Sequence, residues 1–368
     1  MDRPQAHPLR RALFQLHLWL GVAVGLYLTV ICLSGSLLVF RSDLQRAAFP
    51  ALLASPHTGA PADIIDVLAA LEAVYPGQRV SGIDAPTAYR QTYLAYVEEA
   101  DRFHTILSDP ADGHVLGELP QETWIGSLQS LHFNLMLGRT GRLLNQIAAL
   151  CLLGLLLSGA VIWWQGRRRW RRGLSVRKGP WPGLLRNFHG ATGAWLWALL
   201  LMITLTACSL MFPSQYRALV AALTPAARAE PATRFNDAGA HAMSAPEVIR
   251  RARALYPSQY ISRVVMPTDS APVYQINFAL RSPTPLAPSA QRTRYFDRVT
   301  GMQVDAHRSS RAVDQVIAWT DALHVGNFAG NGTRVIWLLV GLVPPMLFVT
   351  GALLWWRRVV RPASARGH

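Results

Sequence analysis

LHFNLMLGRTGRLLNQIAALCLLGLLLSGAVIWW, residues 131–164, aligns without a gap on LHVGNFAGNGTRVIWLLVGLVPPMLFVTGALLWW, residues 323–356, when His132 is laid on His324. Gly138 then matches Gly330, Arg142 matches Arg334, Gly159 matches Gly351, and both stretches end in a tryptophan pair, Trp163-Trp164 and Trp355-Trp356. A second pair of stretches behaves the same way. FQLHLWLGVAVGLYLTVICLSGSLLVF, residues 14–40, lies on NFHGATGAWLWALLLMITLTACSLMF, residues 187–212, with His17 on His189, Gly21 on Gly193 and Phe40 on Phe212. Matches at this spacing read as a tandem duplication.

All four stretches are apolar runs. The chain has 368 residues and is 51% hydrophobic, and the runs 13–40, 143–164, 187–212 and 334–356 are each long enough to cross a hydrocarbon core of about 30 Å. Four transmembrane α-helices are expected, arranged as a duplicated two-span unit. The N-terminal tail 1–12, the loop 165–186 and the tail 357–368 hold 15 basic residues against one acid, Asp2, a net of +14 out of the chain's +15. Such segments stay in the cytoplasm. Both termini are therefore expected there, with the long segments 41–142 and 213–333 exported, and the basic excess reads as topology and not as nucleic-acid binding. The first span starts like a signal peptide but runs on without a convincing cleavage site, so it is expected to be retained. Cys32, Cys151 and Cys208 all lie in the apolar runs, which leaves the exported segments without a disulfide framework, and no C-x-x-C-H motif is present for covalent haem.

The exported segments repeat as well. IIDVLAALEAVYPGQRVSGIDAP matches APEVIRRARALYPSQYISRVVMP, with Tyr-Pro at 75/76 and 256/257 and a further proline at 86 and 267. The spacing predicts an amphipathic helix ending at Tyr-Pro, then strands such as YLAYVEE and VYQINFAL, then turns at DPADGHV and DRVTGMQV, where Asp and Gly supply hairpin chemistry. Two small exported α+β domains are expected, at 41–122 and 213–314. The segments 123–142, with His132, and 315–333, with His324, lead from them into the second and fourth spans.

The helix, Tyr-Pro, strand and hairpin pattern resembles the PepSY domain, and the flanking QLHLWLG…SG and LH…G…SG…WW spans resemble PepSY-associated transmembrane helices. The resemblance covers nearly the whole chain. It implies a bacterial inner-membrane oxidoreductase of the ferric-siderophore reductase kind, carrying b-type haem, with a ferric siderophore as electron acceptor on the periplasmic side. No flavin or nicotinamide domain is appended, so the electron donor, a quinol or a flavoprotein, is expected to be separate. PepSY domains also accompany peptidases, so a non-redox regulatory or binding membrane protein is the alternative.

The residues argue for haem on their own account. With two spans per half, both halves enter the bilayer in the same direction, as in parallel repeats, and matched residues share a depth. His17 and His189 fall near the cytoplasmic face, His132 and His324 near the exported face. Ionisable groups in and beside spans are functional candidates by default. Two depth-matched histidine pairs suit bis-imidazole ligation of two non-covalent b-type haems, which leaves no open iron position and favours electron transfer. Gly21, Gly25 and Gly193 are expected to give a macrocycle room beside the inner pair, and Gly138, Gly141, Gly330 and Gly332 beside the outer. Arg142 and Arg334 are candidate partners of the outer propionates, Arg11 and Arg186 of the inner ones. The remaining histidines lack metal-ligand spacing. Tyr93, Arg263 and Tyr274 are named as exported residues suited to lining an acceptor site. Pro344-Pro345 should kink the fourth span.

Overall fold

The computed structural model describes residues 8–53, 55, 59–87, 90–99, 102–120, 122–164, 170–224, 243–269, 271–279, 291–304 and 311–360. Arg3, Arg167 to Arg169, Arg361, Arg366 and the histidines at 7, 57, 241, 307 and 368 lie outside them. The chain divides into two units, one of residues 1–39, 127–216 and 320–368, the other of 40–126 and 217–319.

The first unit is a helical bundle. Among the described residues, four helices are long and apolar enough to cross a membrane, Pro8–Leu38, Gly138–Trp163, Trp181–Met211 and Gly330–Val359. The first and third spans each pack on the second and fourth, so they face each other across the bundle. Leu200 of the third span and Val340 and Val343 of the fourth are buried in the centre, with Leu156 of the second and Ile203 packed on them. Large apolar side chains such as Leu26 and Trp195 stay exposed on the outside, as a lipid-facing surface requires. The fourth span breaks where Pro344-Pro345 was expected to kink it: one helix runs Gly330–Gly341 and the next Val343–Trp355. Proline at 344 and 345 leaves those positions without N–H donors, so the ladder is interrupted there.

Short helices lead into the second and fourth spans, Trp124–Asn134 and Arg311–Val325. Left-handed residues separate them from the spans. Before the second span these are Leu135 and Met136, with φ of 51° and 60°, and Gly138; before the fourth they are Gly326 and Gly330. A β-carbon on Gly326 would run into the Trp337 ring, so that position needs glycine for space as well as for its φ of 78°. The carbonyls at the ends of the short helices are satisfied from the spans. Asn145 donates to the His132 and Phe133 carbonyls at 2.8 and 2.7 Å, and Trp337 Nε1 donates to the Leu323 carbonyl at 2.6 Å.

The second unit is built on one antiparallel sheet of eight strands in the order β4-β3-β2-β1-β5-β6-β7-β8. The strands are β1 (Arg79–Asp84), β2 (Tyr93–Glu99), β3 (Arg102–Ser108), β4 (Val115–Glu118), β5 (Tyr260–Val265), β6 (Val273–Ala279), β7 (Gln291–Asp297) and β8 (Gln303–Val304). Each four-stranded half is preceded by an 11-residue helix, Ile64–Val74 or Ala245–Leu255, that stops before its Tyr-Pro. Here the expectation of two separate α+β domains is revised: β1 and β5 pair directly and merge the two modules into one sheet. Ile83 lies opposite Val264, and the Tyr-Pro alignment equates these same two residues. Lone four-stranded modules would present β1 and β5 as unpaired edges, and pairing them removes both.

The two helices share one core. Val67, Leu71, Val248 and Ile249 are fully buried against Ile83, Val97, Val264, Ile276, Phe278 and Phe296, each large apolar side chain contributing about 1.5–3 kcal/mol by burial. Asp63 caps the first helix by accepting from the Ile65 N–H at 2.8 Å and pairs with Arg253 of the second. Partial burial acts to raise the Asp63 carboxyl, but the hydrogen bonds from Arg253 and the Ile65 N–H, together with the positive charges of Arg253 and Arg250, outweigh it and hold the group below its ordinary value. The hairpins match too. Gly113 and Gly301, with φ of 81° and 60°, close turns whose N–H bonds the carbonyls of Asp109 and Asp297 at 3.0 Å.

Candidate functional site

The four matched histidines come together in two pairs inside the bundle. His17 on the first span faces His189 on the third with ring centres 6.4 Å apart and planes at 88°. His132 and His324, on the helices before the second and fourth spans, also have ring centres 6.4 Å apart, with planes at 37°. Two imidazoles bound on opposite sides of one metal ion, each at about 2.0 Å, have centres roughly 6.3 Å apart. Both pairs stand at that separation.

Each Nδ1 is engaged by a neighbouring span in the same way. His17 Nδ1 lies 3.0 Å from Ser158 Oγ, and the ring also interacts with the Leu155 backbone. His189 Nδ1 lies 2.8 Å from Thr350 Oγ1, and the ring also interacts with the Leu347 backbone. His132 Nδ1 lies 2.8 Å from the Ile31 carbonyl and 3.3 Å from Ser34 Oγ, and His324 Nδ1 lies 3.2 Å from Thr206 Oγ1, with the ring also interacting with the Ile203 backbone. All four hydroxyls donate to the carbonyl three residues before them, Leu155, Leu347, Ile31 and Ile203. Their oxygens are thus left as acceptors, and with a carbonyl as the other neighbour the proton is assigned to Nδ1. Nε2 then carries the lone pair, the state a metal-ligating histidine needs when its other nitrogen is held by an acceptor.

The residue after each hydroxyl is small. A β-carbon on Gly159 would stand 3.2 Å from His17 Cε1, one on Gly351 3.4 Å from His189 Cε1, and one on Gly35 2.6 Å from His132 Cε1; Ala207 holds the fourth position. Every span therefore carries the pattern Leu/Ile-x-x-Ser/Thr-Gly/Ala, at 155–159, 347–351, 31–35 and 203–207. Sequence reasoning met Ser34-Gly35 and Ser158-Gly159 only as the SG of the resembling spans and gave the hydroxyls no role, although the signal was there: the histidine registers lay Ser34 on Thr206 and Ser158 on Thr350, hydroxyl on hydroxyl.

Three of the glycines first singled out already lie against protein atoms. Gly25 is packed on the Phe348 ring, Gly21 makes an ordinary contact with Leu155, and Gly141 is closed in by the Asn134 carbonyl. Gly138 and Gly330 serve the left-handed breaks. Nothing lies within 4 Å of a β-carbon placed on Gly193 or Gly332. The two candidate arginines also differ. Arg334 is buried and donates through Nε and Nη2 to the Val39 carbonyl at 3.2 Å and through Nη1 to Asn331 at 2.9 Å, whereas Arg142 is exposed, as are Arg11 and Arg186. Tyr93 and Tyr274 do not line a site; both are buried, with hydroxyls donating to the carbonyls of Ala62 and Met243.

The pairs are well separated along the bundle. The Ile31 carbonyl that holds His132 lies 14 residues beyond His17 on one continuous helix, about 21 Å at 1.5 Å per residue. Four apolar helices with a histidine pair at each of two levels define an integral membrane protein. The family model described as the PepSY-associated TM region matches residues 14–358, and the chain belongs to that family. No curated protein matches the chain in sequence.

Proposed function

We propose that the chain carries single electrons across the bacterial inner membrane, from a cytoplasmic-side donor to a ferric siderophore in the periplasm. The observation that supports this reading most directly is the pair of matched histidine sites, each with ring centres 6.4 Å apart and each Nδ1 committed to a span hydroxyl and carbonyl. His17 and His189 would hold one b-type haem through Nε2, His132 and His324 the other. Bound there, the two haems would supply one-electron transfer between the two faces of the bilayer. The protein's own part is to fix ring orientation through Ser158, Thr350, Ser34 and Thr206, and to keep the sites dry with the apolar faces of four helices. Arg142 and Arg334 are the candidate propionate partners of the outer site.

The acceptor we infer from the resemblance is Fe(III) held by a siderophore, which takes up one electron and is released as Fe(II). The donor is a quinol or a flavoprotein. Positive charge on the loop 165–186 and both tails supports placing those segments in the cytoplasm and the eight-stranded unit in the periplasm. The test is the dithionite-reduced minus oxidised spectrum of the purified protein with a pyridine haemochromogen count. Two b-type haems per chain are expected. A colourless protein, made with ample haem supply, would overturn the reading in favour of a non-redox PepSY binding module.

A further inference from the structure

The eight-stranded unit has a cleft of about 430 Å³ between the sheet and the helix Arg41–Ala48, lined by Arg41, Arg90, Asp84 and Tyr96 among others. Its charges do not balance. Asp84 is held by Arg263, whose Nε stands 3.2 Å from Oδ1, and by the Tyr96 hydroxyl at 3.3 Å; Arg263 also lies over the Tyr96 ring, 5.5 Å from its centre. The Arg263 and Arg90 guanidinium groups thus both act on one carboxylate, and Arg41 lines the same cleft. Arg90 uses Nη2 on the Ala85 carbonyl at 2.9 Å, and its buried Nη1 has no hydrogen-bond partner among the described residues. Burial pushes the Arg90 and Arg41 guanidinium groups below their ordinary values. A buried donor on a cation is among the most unfavourable groups to leave unmatched.

The charged lining is not repeated in the second half. The alignment that lays Tyr75 on Tyr256 places Val265, Ala271 and Asn277 where Asp84, Arg90 and Tyr96 stand, so the charged lining belongs to the first half alone and is not a requirement of the fold.

We propose that this cleft binds a small organic anion through carboxylate oxygens, with Arg90 and Arg41 as its charged contacts. Planar guanidinium forks match carboxylate geometry. Phosphate has the same charge chemistry, but the volume is that of a small-molecule site, and Leu94 and Leu119 add an apolar wall that suits a carbon skeleton. The proposal is independent of haem.

Citrate is the probe, titrated calorimetrically into the full-length protein in neutral detergent. Arg90→Gln and Arg41→Gln are each expected to weaken citrate binding tenfold or more. Lys178→Gln, which removes a charge from the basic loop, should leave it unchanged. Asp84→Asn takes away the one carboxylate and should tighten binding, an outcome that a misfolded variant cannot give. The proposal is overturned if citrate does not bind at about 10 mM, if Lys178→Gln weakens binding as much as Arg90→Gln, or if Asp84→Asn does not tighten it. Tighter binding of inorganic phosphate than of citrate would overturn the choice of carboxylate.

Discussion

The inner and outer histidine pairs have the same ring separation, 6.4 Å, but reach it by different means. His17 and His189 stand on long unbroken helices, Pro8–Leu38 and Trp181–Met211, so helix packing alone sets their position. His132 and His324 stand on the last turns of short helices, each followed by a left-handed break before the span begins. The outer pair thus depends on backbone conformations that most residues avoid, while the inner pair depends on none. The shared part is the hydroxyl, carbonyl and small residue on the neighbouring span. Such a pattern holds an imidazole in one tautomer whichever way the backbone delivers it.

The largest test of that contrast removes ligands. Under the proposed function His132→Ala should release about half of the haem, leave the spectrum of the inner site and abolish ferric-siderophore reduction, and His17→Ala should leave the complementary spectrum; one shared spectrum lost by both variants would break the two-site picture. Next comes the turn. Gly326→Ala forces a β-carbon into Trp337 at positive φ and should destabilise the protein by about 2–4 kcal/mol, read from detergent-solubilised thermal melts, with loss confined to the outer site. Equal loss of the inner site would show that the pairs are not delivered independently.

Removing hydroxyls has a milder effect. Under the proposed function Ser158→Ala and Thr350→Ala should weaken haem retention at the inner site about tenfold, and Ser34→Ala and Thr206→Ala should do the same at the outer site, measured by haem transfer to an apo-globin acceptor. An effect at the wrong site would contradict the pairing of histidines with hydroxyls. The smallest change is a gain: Met136→Gly relieves a non-glycine residue at φ of 60° and should stabilise the protein by about 1 kcal/mol. No such relief is available at the inner pair.

Much of this was legible in the chain. Apolar runs of sufficient length announce spans because no other element buries its backbone in lipid, and the helices before Tyr-Pro followed from periodicity and proline. The histidines were legible because two registers matched them. The hydroxyls were not singled out, since serine and threonine in spans are common and bond their own helix; only a facing imidazole gives Ser158 or Thr350 a second role. Glycines misled for a related reason: a missing β-carbon makes room, but sequence does not say for whom, and Gly25 makes room for Phe348 where Gly159 makes it for His17.

Sequence by itself determined the four spans, the order of helices and strands, and which histidines correspond. It did so because hydropathy, proline and spacing act within a few residues of themselves. Tertiary structure alone decided that β1 pairs with β5 to make one sheet of eight strands, that Nδ1 of each histidine meets a hydroxyl on another helix, and that Arg41, Arg90 and Asp84 share a cleft. Those outcomes depend on contacts between residues far apart in the chain, where direction and distance are set by packing and no local pattern carries them.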